Sequence, residues 1–282
     1  MRYGLELPNA GVCGDARTLA ELAQLAEESG WDGLFLEDYI THWTGAPTCD
    51  PWVALGAMAL TTTRIKLGTE VTPLARRRPW KLARETVTVD RLSGGRLILG
   101  VGIGDPNDPS LASVGETLGA AERAQIVDEA LEILVGLWSG EPFSYQGTHY
   151  QVRDTTFLPR PAQAPRIPIW IGGGWPHAKP VQRAARWDGS CLYKVPDTGD
   201  WADFTPDDIR ALRADIARQR SATTRFEIVV GGRKRGEDWE AERALIASLA
   251  EAGATWWIEY IPVGFGDRAD IRARISAGPL RT

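Results

Sequence analysis

The chain has 282 residues, of which 43% are hydrophobic and 24% charged, with a formal net charge of −5. That balance is ordinary for a globular protein, and its mild acidity argues against a nucleic-acid-binding surface. Cys13, Cys49 and Cys191 are far apart with no CxxC spacing, which points to reduced thiols in a cytoplasm and not to a disulfide framework. The opening "MRYGLELPNAG" shows no secretory pattern, and no apolar run approaches the ~20 residues of a membrane span.

In chain order, "YGLELP" predicts a first buried strand, and "TLAELAQLAEESG" a helix with Leu19, Leu22, Ala23 and Ala26 on one face. "DGLFLED" is a second strand. "DPWVALGAMALTT" is a second helix, with Asp50 as N-cap and Pro51 at its first position. "IKLGTEVTP", "RPWKLARETVTVDRLS" and "RLILGVGIG" supply strand three, helix three and strand four. The stripe Val127, Ala130, Leu131, Leu134, Leu137 and Trp138 marks helix four. "FSYQGTHYQV" predicts a hairpin that interrupts the alternation, and "FLPRPAQAPR" a proline-rich connection. "IPIWIGGG", "HAKPVQRAARW" and "GSCLYKV" resume it. "TPDDIRALRADIARQR" opens on a capping-box pattern at Thr205 and Asp208. "RFEIVVGG", "DWEAERALIASLAEAG", "WWIEYIP" and "DRADIRARIS" complete eight strand–helix units.

Uniformly apolar strands alternating with helices predict a parallel sheet covered on both faces. Eight units in this length predict an α/β fold of the closed (β/α)8 TIM-barrel type, one domain over 1–282 with a hairpin insertion at about 141–166. An open doubly wound sheet fits less well, because "LPNAGVCGD" is a poor match to a dinucleotide-binding turn.

In such a barrel the site lies at the carboxyl ends of the strands. Glu6, Glu37 with Asp38, Glu70, and Glu259 with Tyr260 fall there, and a group of buried carboxylates is costly unless it is used. The plain alternative is that they cap loops or pair with Lys66, Lys194 or Arg233. Gly100, Gly102 and Gly104 end strand four, and Gly172, Gly173 and Gly174 end strand five. Two neighbouring strand ends without side chains predict a flat-walled slot, and "GGGWPHAKP" opens a helix whose first N–H groups suit an anion, with His177 and Lys179 nearby. The plain alternative there is a tight turn. Metal binding is unsupported by the spacing of His42, His149 and His177, and neither a nucleophile elbow nor a P-loop occurs. An organic cofactor is therefore expected to carry the chemistry. Trp43, Trp52, Trp80, Trp170 and Trp175 are candidates for an apolar wall.

"TRIKLGTEVTP", "RRRPWKLARETVTVDRLSGGRLILGVGIG", the hairpin before "FLPRPAQAPRIPIWIGGG", and "RAARWDGSCLY" together resemble the bacterial luciferase-like monooxygenase superfamily, in order, over about residues 1–265. The resemblance implies insertions after strand four and near strand seven or eight. It implies reduced FMN in the barrel mouth or, alternatively, the deazaflavin coenzyme F-420. It also implies a non-prolyl cis peptide at Glu70–Val71 beneath the cofactor ring. Gly102, Gly104 and Gly172 would shape the ring slot, and Gly173, Gly174 and His177 would hold the cofactor phosphate. Asp38 and Trp43 match substrate-face positions of the sugar-phosphate dehydrogenases that use F-420, and Asp105 matches their proton-donating glutamate. Tyr39 stands where they have a histidine, with His42 displaced nearby. Ile103 replaces an arginine that binds the FMN phosphate in the luciferases.

Asp38, His42 and Asp105 are thus the expected catalytic residues, with Glu6, Tyr39, Trp43 and Trp175 around a small-molecule substrate. The leading expectation is an FMNH2-dependent oxidoreductase that oxidises or monooxygenates a small organic substrate, and the alternative is F-420-dependent hydride transfer. A separate flavin reductase and a homodimer are the expected partners. A flavin-binding barrel without turnover is a further reading. A lyase or isomerase using Lys194 as a Schiff base is another. Arg76, Arg77 and Arg78 are expected in loop salt bridges.

Overall fold

The computed structural model describes residues 1–105, 108, 111, 113–116, 119–198 and 202–282. Its elements are β1 (Arg2–Leu7), α1 (Ala16–Glu28), β2 (Gly33–Leu36), α2 (Pro51–Thr61), β3 (Lys66–Pro73), α3 (Pro79–Leu92), β4 (Leu97–Gly102) and α4 (Ala120–Trp138). There follow β5 (Phe143–Gln146), β6 (Gln151–Thr155), β7 (Ile169–Trp175), α5 (Ala178–Ala185), β8 (Gly189–Lys194), α6 (Pro206–Gln219), β9 (Glu227–Arg233), α7 (Trp239–Ala252), β10 (Trp256–Tyr260) and α8 (Arg268–Ser276).

Eight strands close into a parallel barrel in the order β1-β10-β9-β8-β7-β4-β3-β2, with the helices outside. This is the (β/α)8 barrel that the alternation predicts. The antiparallel β5–β6 hairpin stands apart from the barrel, between α4 and β7. The second insertion implied near strand seven or eight has no strand or helix of its own among the described residues. Residues 234–238 join β9 to α7, and 261–267 join β10 to α8. No helix among the described residues is long and apolar enough to cross a membrane.

Local chemistry sets the boundaries. Asp50 accepts the N–H of Val53 and Pro51 begins α2. Thr205 and Asp208 form a complete capping box on α6. Gly253 ends α7 at φ 113°, a conformation that glycine adopts at little cost. The apolar stripe of α1, including Leu19, Leu22, Ala23 and Ala26, is buried on the barrel's outer wall.

The barrel interior is a separate cluster: Phe35, Ile98, Trp170, Cys191, Val229, Trp256 and Ile258. Phe35, Trp170 and Trp256 pack mutually, with ring centroids 5.2–5.8 Å apart. Three large rings fit in one barrel because neighbouring strands carry glycine. A Cβ on Gly33 would lie 2.8 Å from Phe35 and 2.9 Å from Trp256, and one on Gly189 would lie 2.6 Å from Trp170. This plug closes the barrel below the strand ends and gives the site a floor. Trp170 therefore belongs to the core and not to the wall of a cleft, and Trp52, on α2, is buried in the outer core. Trp170→Ala should destabilise the protein by about 3–5 kcal/mol, seen as an earlier midpoint in urea unfolding.

Candidate active site

Side chains alternate along each strand, so parity decides what reaches the mouth. On β1, Gly4 faces the plug and Glu6 stands above it. On β2, Phe35 lies in the plug. The Glu37 N–H continues the strand pairing by donating to the Leu7 carbonyl at 3.0 Å, so Glu37 follows Phe35 inward. On β10, Trp256 and Ile258 face in, which puts Tyr260 in the mouth and Glu259 outside. Glu259 is buried there against Arg235, 2.9 Å away, and Arg274. That carboxylate is in an ion pair, as the plain reading has it, but with Arg235 and Arg274 and not with Lys66, Lys194 or Arg233.

Strand β3 breaks the alternation. Its pairing with β4 runs Thr69 to Leu99 and then Thr72 to Val101, so Glu70 and Val71 together oppose Gly100. That extra residue is a β-bulge, which re-aims side chains. The Glu70–Val71 peptide is cis, as the resemblance implies. Val71 packs against the barrel's inner cluster. Its methyl groups fill the space above two of the slot glycines, where a Cβ on Gly102 or Gly172 would lie 2.9 or 2.8 Å from Val71. The glycines thus seat Val71, and Val71 is the surface presented upward. Gly104, at φ 82°, turns the chain after β4, and Arg123 Nη1 holds that turn by donating to the Ile103 and Gly104 carbonyls at 3.1 and 3.0 Å.

Glu6, Glu37 and Glu70 meet at this level. The Tyr39 hydroxyl donates to Glu37 Oε1 at 3.1 Å, and the Tyr260 hydroxyl reaches both Glu37 oxygens at 3.4 Å. Glu70 Oε2 is buried and has no hydrogen-bond partner among the described residues. Burial raises all three carboxyl groups, because the charged form loses its water. Glu70 is pushed up to about 8. Glu37 reaches about 7, with the two tyrosine hydroxyls opposing the rise. Glu6 is held well above the carboxylate range by burial and then by the charges of Glu70 and Glu37. Burial, followed by Glu70 and Glu6, also raises the Cys191 thiol.

Of the expected catalytic residues, Asp38 is held away from this cluster and His42 meets it through Tyr39. Asp38, one residue past Glu37 and of opposite parity, is clamped by arginines. Arg77 donates through Nε to Oδ2 at 3.0 Å and through Nη2 to Oδ1 at 2.7 Å, and Arg76 Nη2 adds a third bond at 3.0 Å. Asp38 is therefore an anchor for the loop after β3, and two of the three arginines have the salt-bridge role expected of them. His42 is buried and stacked on Trp43 at 3.9 Å, with Tyr39 edge-on to both. Its Nδ1 faces the Thr44 hydroxyl at 2.7 Å and the Thr44 N–H at 3.4 Å, an arrangement satisfied with the proton on Nε2. Burial lowers its pKa, against the charge of Asp108, which favours the neutral imidazole. Trp43 is 59% exposed at the rim. Asp105 is exposed just past β4.

Trp175 lies outside the barrel, packed on Phe204 at 5.7 Å, and does not line the mouth. Lys194 is paired with Asp208 at 2.7 Å, which leaves the Schiff-base reading without its free amine. His177 is the N-cap of α5 and makes no side-chain capping bond, which leaves the N–H groups of Ala178 and Lys179 as donors for an anion beside Gly173 and Gly174, Pro180 having none to offer. Sequence reasoning placed Glu37 and Tyr260 at strand ends but gave them no role. It missed Asn9, which fixes Tyr39 by accepting its N–H at 3.0 Å and donating to its carbonyl at 2.8 Å. A lone polar residue after strand one carries no pattern that would have revealed this.

Two outcomes follow from these charges. Asp38→Asn should cost about 3–5 kcal/mol in denaturant unfolding, because it removes the shared carboxylate from two arginines, one of them almost fully buried. Glu37 and Glu70 bind protons more tightly folded than unfolded, where their value is 4.5. Their contribution to stability is complete below that value and is lost as the pH rises through about 7 and 8. Melting temperatures across a pH series should fall toward the alkaline end, and Glu70→Gln should flatten the slope.

The comparisons with known proteins agree with this fold. The sequence profile of the luciferase-like monooxygenase family matches residues 4–256. An F-420-dependent glucose-6-phosphate dehydrogenase of Microbacterium testaceum is 40% identical over 166 residues, 57% of this chain and 48% of that protein. The chain thus spans about half the length of the relatives it matches. Among solved structures, a monooxygenase from Streptomyces bottropensis superposes with a TM-score of 0.75 at 18% identity, covering 98% of this chain and 96% of the other. The coenzyme F-420-dependent tetrahydromethanopterin reductase of Methanopyrus kandleri gives 0.74 at 17% identity and 98% coverage of both. At that identity the two structures speak for the barrel alone. With its profile matched from β1 into β10, the chain belongs to the luciferase-like monooxygenase family.

Proposed function

We propose that this protein is an F-420-dependent oxidoreductase, moving a hydride between the deazaflavin and a carbon of a small alcohol or carbonyl substrate. The observation that carries the reading is the 40% identity to a dehydrogenase named for that cofactor. The residues of the mouth fit such a group. Val71 offers an apolar surface to a flat ring, and the uncapped start of α5 beside Gly173 and Gly174 offers N–H donors to a phosphate. Ile103 leaves the end of β4 without the arginine expected for FMN. When bound, the deazaflavin supplies two-electron hydride chemistry. The chain's own part is to position the ring on Val71, exclude water with the aromatic plug, and hold protons on the buried carboxyl groups. Tyr39, His42 and Trp43 form an aromatic rim for the substrate, with Asp105 beside β4.

Reduced FMN is the second reading, favoured by family membership, and a separate flavin reductase goes with it as partner. A cytoplasmic location suits the three unpaired cysteines. A homodimer is also part of the proposal. Helix α2 is apolar on nearly every side, yet Val53 and Leu60 are 68% and 71% exposed on one face, a pattern of helices covered on both sides. Leu60→Glu should shift the sedimentation coefficient from dimer to monomer; a wild-type monomer would contradict the dimer.

Fluorescence titration of purified protein with F-420, with FMN, and with FMNH2 under argon separates the readings. Saturable binding of F-420 with much weaker binding of either flavin is expected. Tight FMNH2 binding without F-420 binding would overturn the proposal in favour of the second reading.

A further inference from the structure

We infer that Glu70 is the proton-exchanging residue of this site, facing the bound ring beside Val71, and that Glu6 and Glu37 share and resupply its proton. The inference rests on the cofactor reading above and deepens it. The bulge carries the argument. Without it, Glu70 and Val71 would point to opposite faces of β3; with it, the acid and the apolar surface stand side by side at the mouth. Of the three carboxyl groups, Glu37 is occupied by the Tyr39 and Tyr260 hydroxyls, whereas Glu70 keeps one buried oxygen without a partner. A buried polar atom left unsatisfied is costly, and a ring carbonyl or ring nitrogen would satisfy it.

The surroundings fix how it titrates. Glu6 from β1 and Cys191 from β8 face Glu70, and Glu6 in turn faces Glu37 at the end of β2, where the Tyr39 and Tyr260 hydroxyls gather. Strands β4, β7 and β9 carry Gly102, Gly172 and Gly231 near this height. No cation faces the cluster among the described residues. Arg76 and Arg77 are held by Asp38 on the outer side of the wall. Three like-charged groups at close quarters cannot all ionise near neutral pH, so protons are shared among them. With the deazaflavin bound, Glu70 would give H+ from its carboxyl oxygen to the ring edge as the ring gained hydride from the alcohol carbon, and the H+ released from the alcohol's hydroxyl as the carbonyl formed would return to the carboxyl group by way of Glu6 and Glu37. The reverse reaction would move the same proton and hydride the other way, so charge and atoms balance.

The test uses protein labelled with 13C at the glutamate δ-carbon, free of cofactor, in an NMR titration. Glu37 and Glu70 should titrate at about 7 and 8, and Glu6 above the ordinary glutamate range. Glu70→Gln should remove one of them and move the Glu6 titration to lower pH, because a like charge is gone. In the loaded enzyme, Glu70→Gln should lower turnover ~100-fold and change its pH profile while F-420 affinity stays within a few-fold. Ordinary titration of every glutamate would overturn the inference, even if the variant does not fold. So would a Glu70→Gln enzyme with unchanged turnover and pH profile. A wild-type protein that binds no F-420 would instead remove the cofactor reading, while the carboxyl titration still decides whether the protons are shared.

Discussion

The seating of Val71 between Gly102 and Gly172 is the constraint on which the rest of the mouth depends. A strand of regular pitch would have placed only one of Glu70 and Val71 inside the barrel. The two-for-one pairing against Gly100 places both, and the absence of side chains at Gly102 and Gly172 leaves the methyl groups of Val71 room to enter. Close packing then does the remaining work. The aromatic plug beneath is rigid, so the height and tilt of Val71 are set by contacts on both sides.

The second organising feature is a separation of charge by parity. Glu37 and Asp38 are adjacent in sequence and lead to opposite outcomes. One faces the barrel axis among other acids and is raised toward neutrality. The other faces outward and holds Arg76 and Arg77. Glu259 and Tyr260 repeat the pattern on β10. The wall of the barrel thus keeps the arginines away from the acids, which leaves the acids able to hold protons at neutral pH. The proposed hydride transfer needs a proton source close to the ring, and the buried acids inside the barrel are the source we propose.

Most of the architecture was legible in the sequence. Eight apolar runs alternating with capped helices left little choice of topology, and Asp50, Thr205 and Asp208 act as their spacing suggests. The strand-end carboxylates and glycines were legible as a group. What each one does was not, because that depends on which face of a strand it occupies, and parity is fixed only by register. The bulge in β3 is a case in point, since one extra residue in a strand leaves no mark in composition or period. The cis peptide came from resemblance alone. Asp38 looked catalytic by position, but the Arg76–Arg77 pair that claims it approaches from a loop whose path the sequence does not specify.

The central claim is that Val71 supports the cofactor ring, with Glu70 at its edge. A crystal structure of the protein soaked with F-420 tests it directly. The account predicts the ring in van der Waals contact with Val71, Glu70 Oε2 within hydrogen-bonding distance of the ring edge, and the phosphate on the first N–H groups of α5. A ring bound away from the β3 bulge, or a phosphate held elsewhere than at the start of α5, would contradict it.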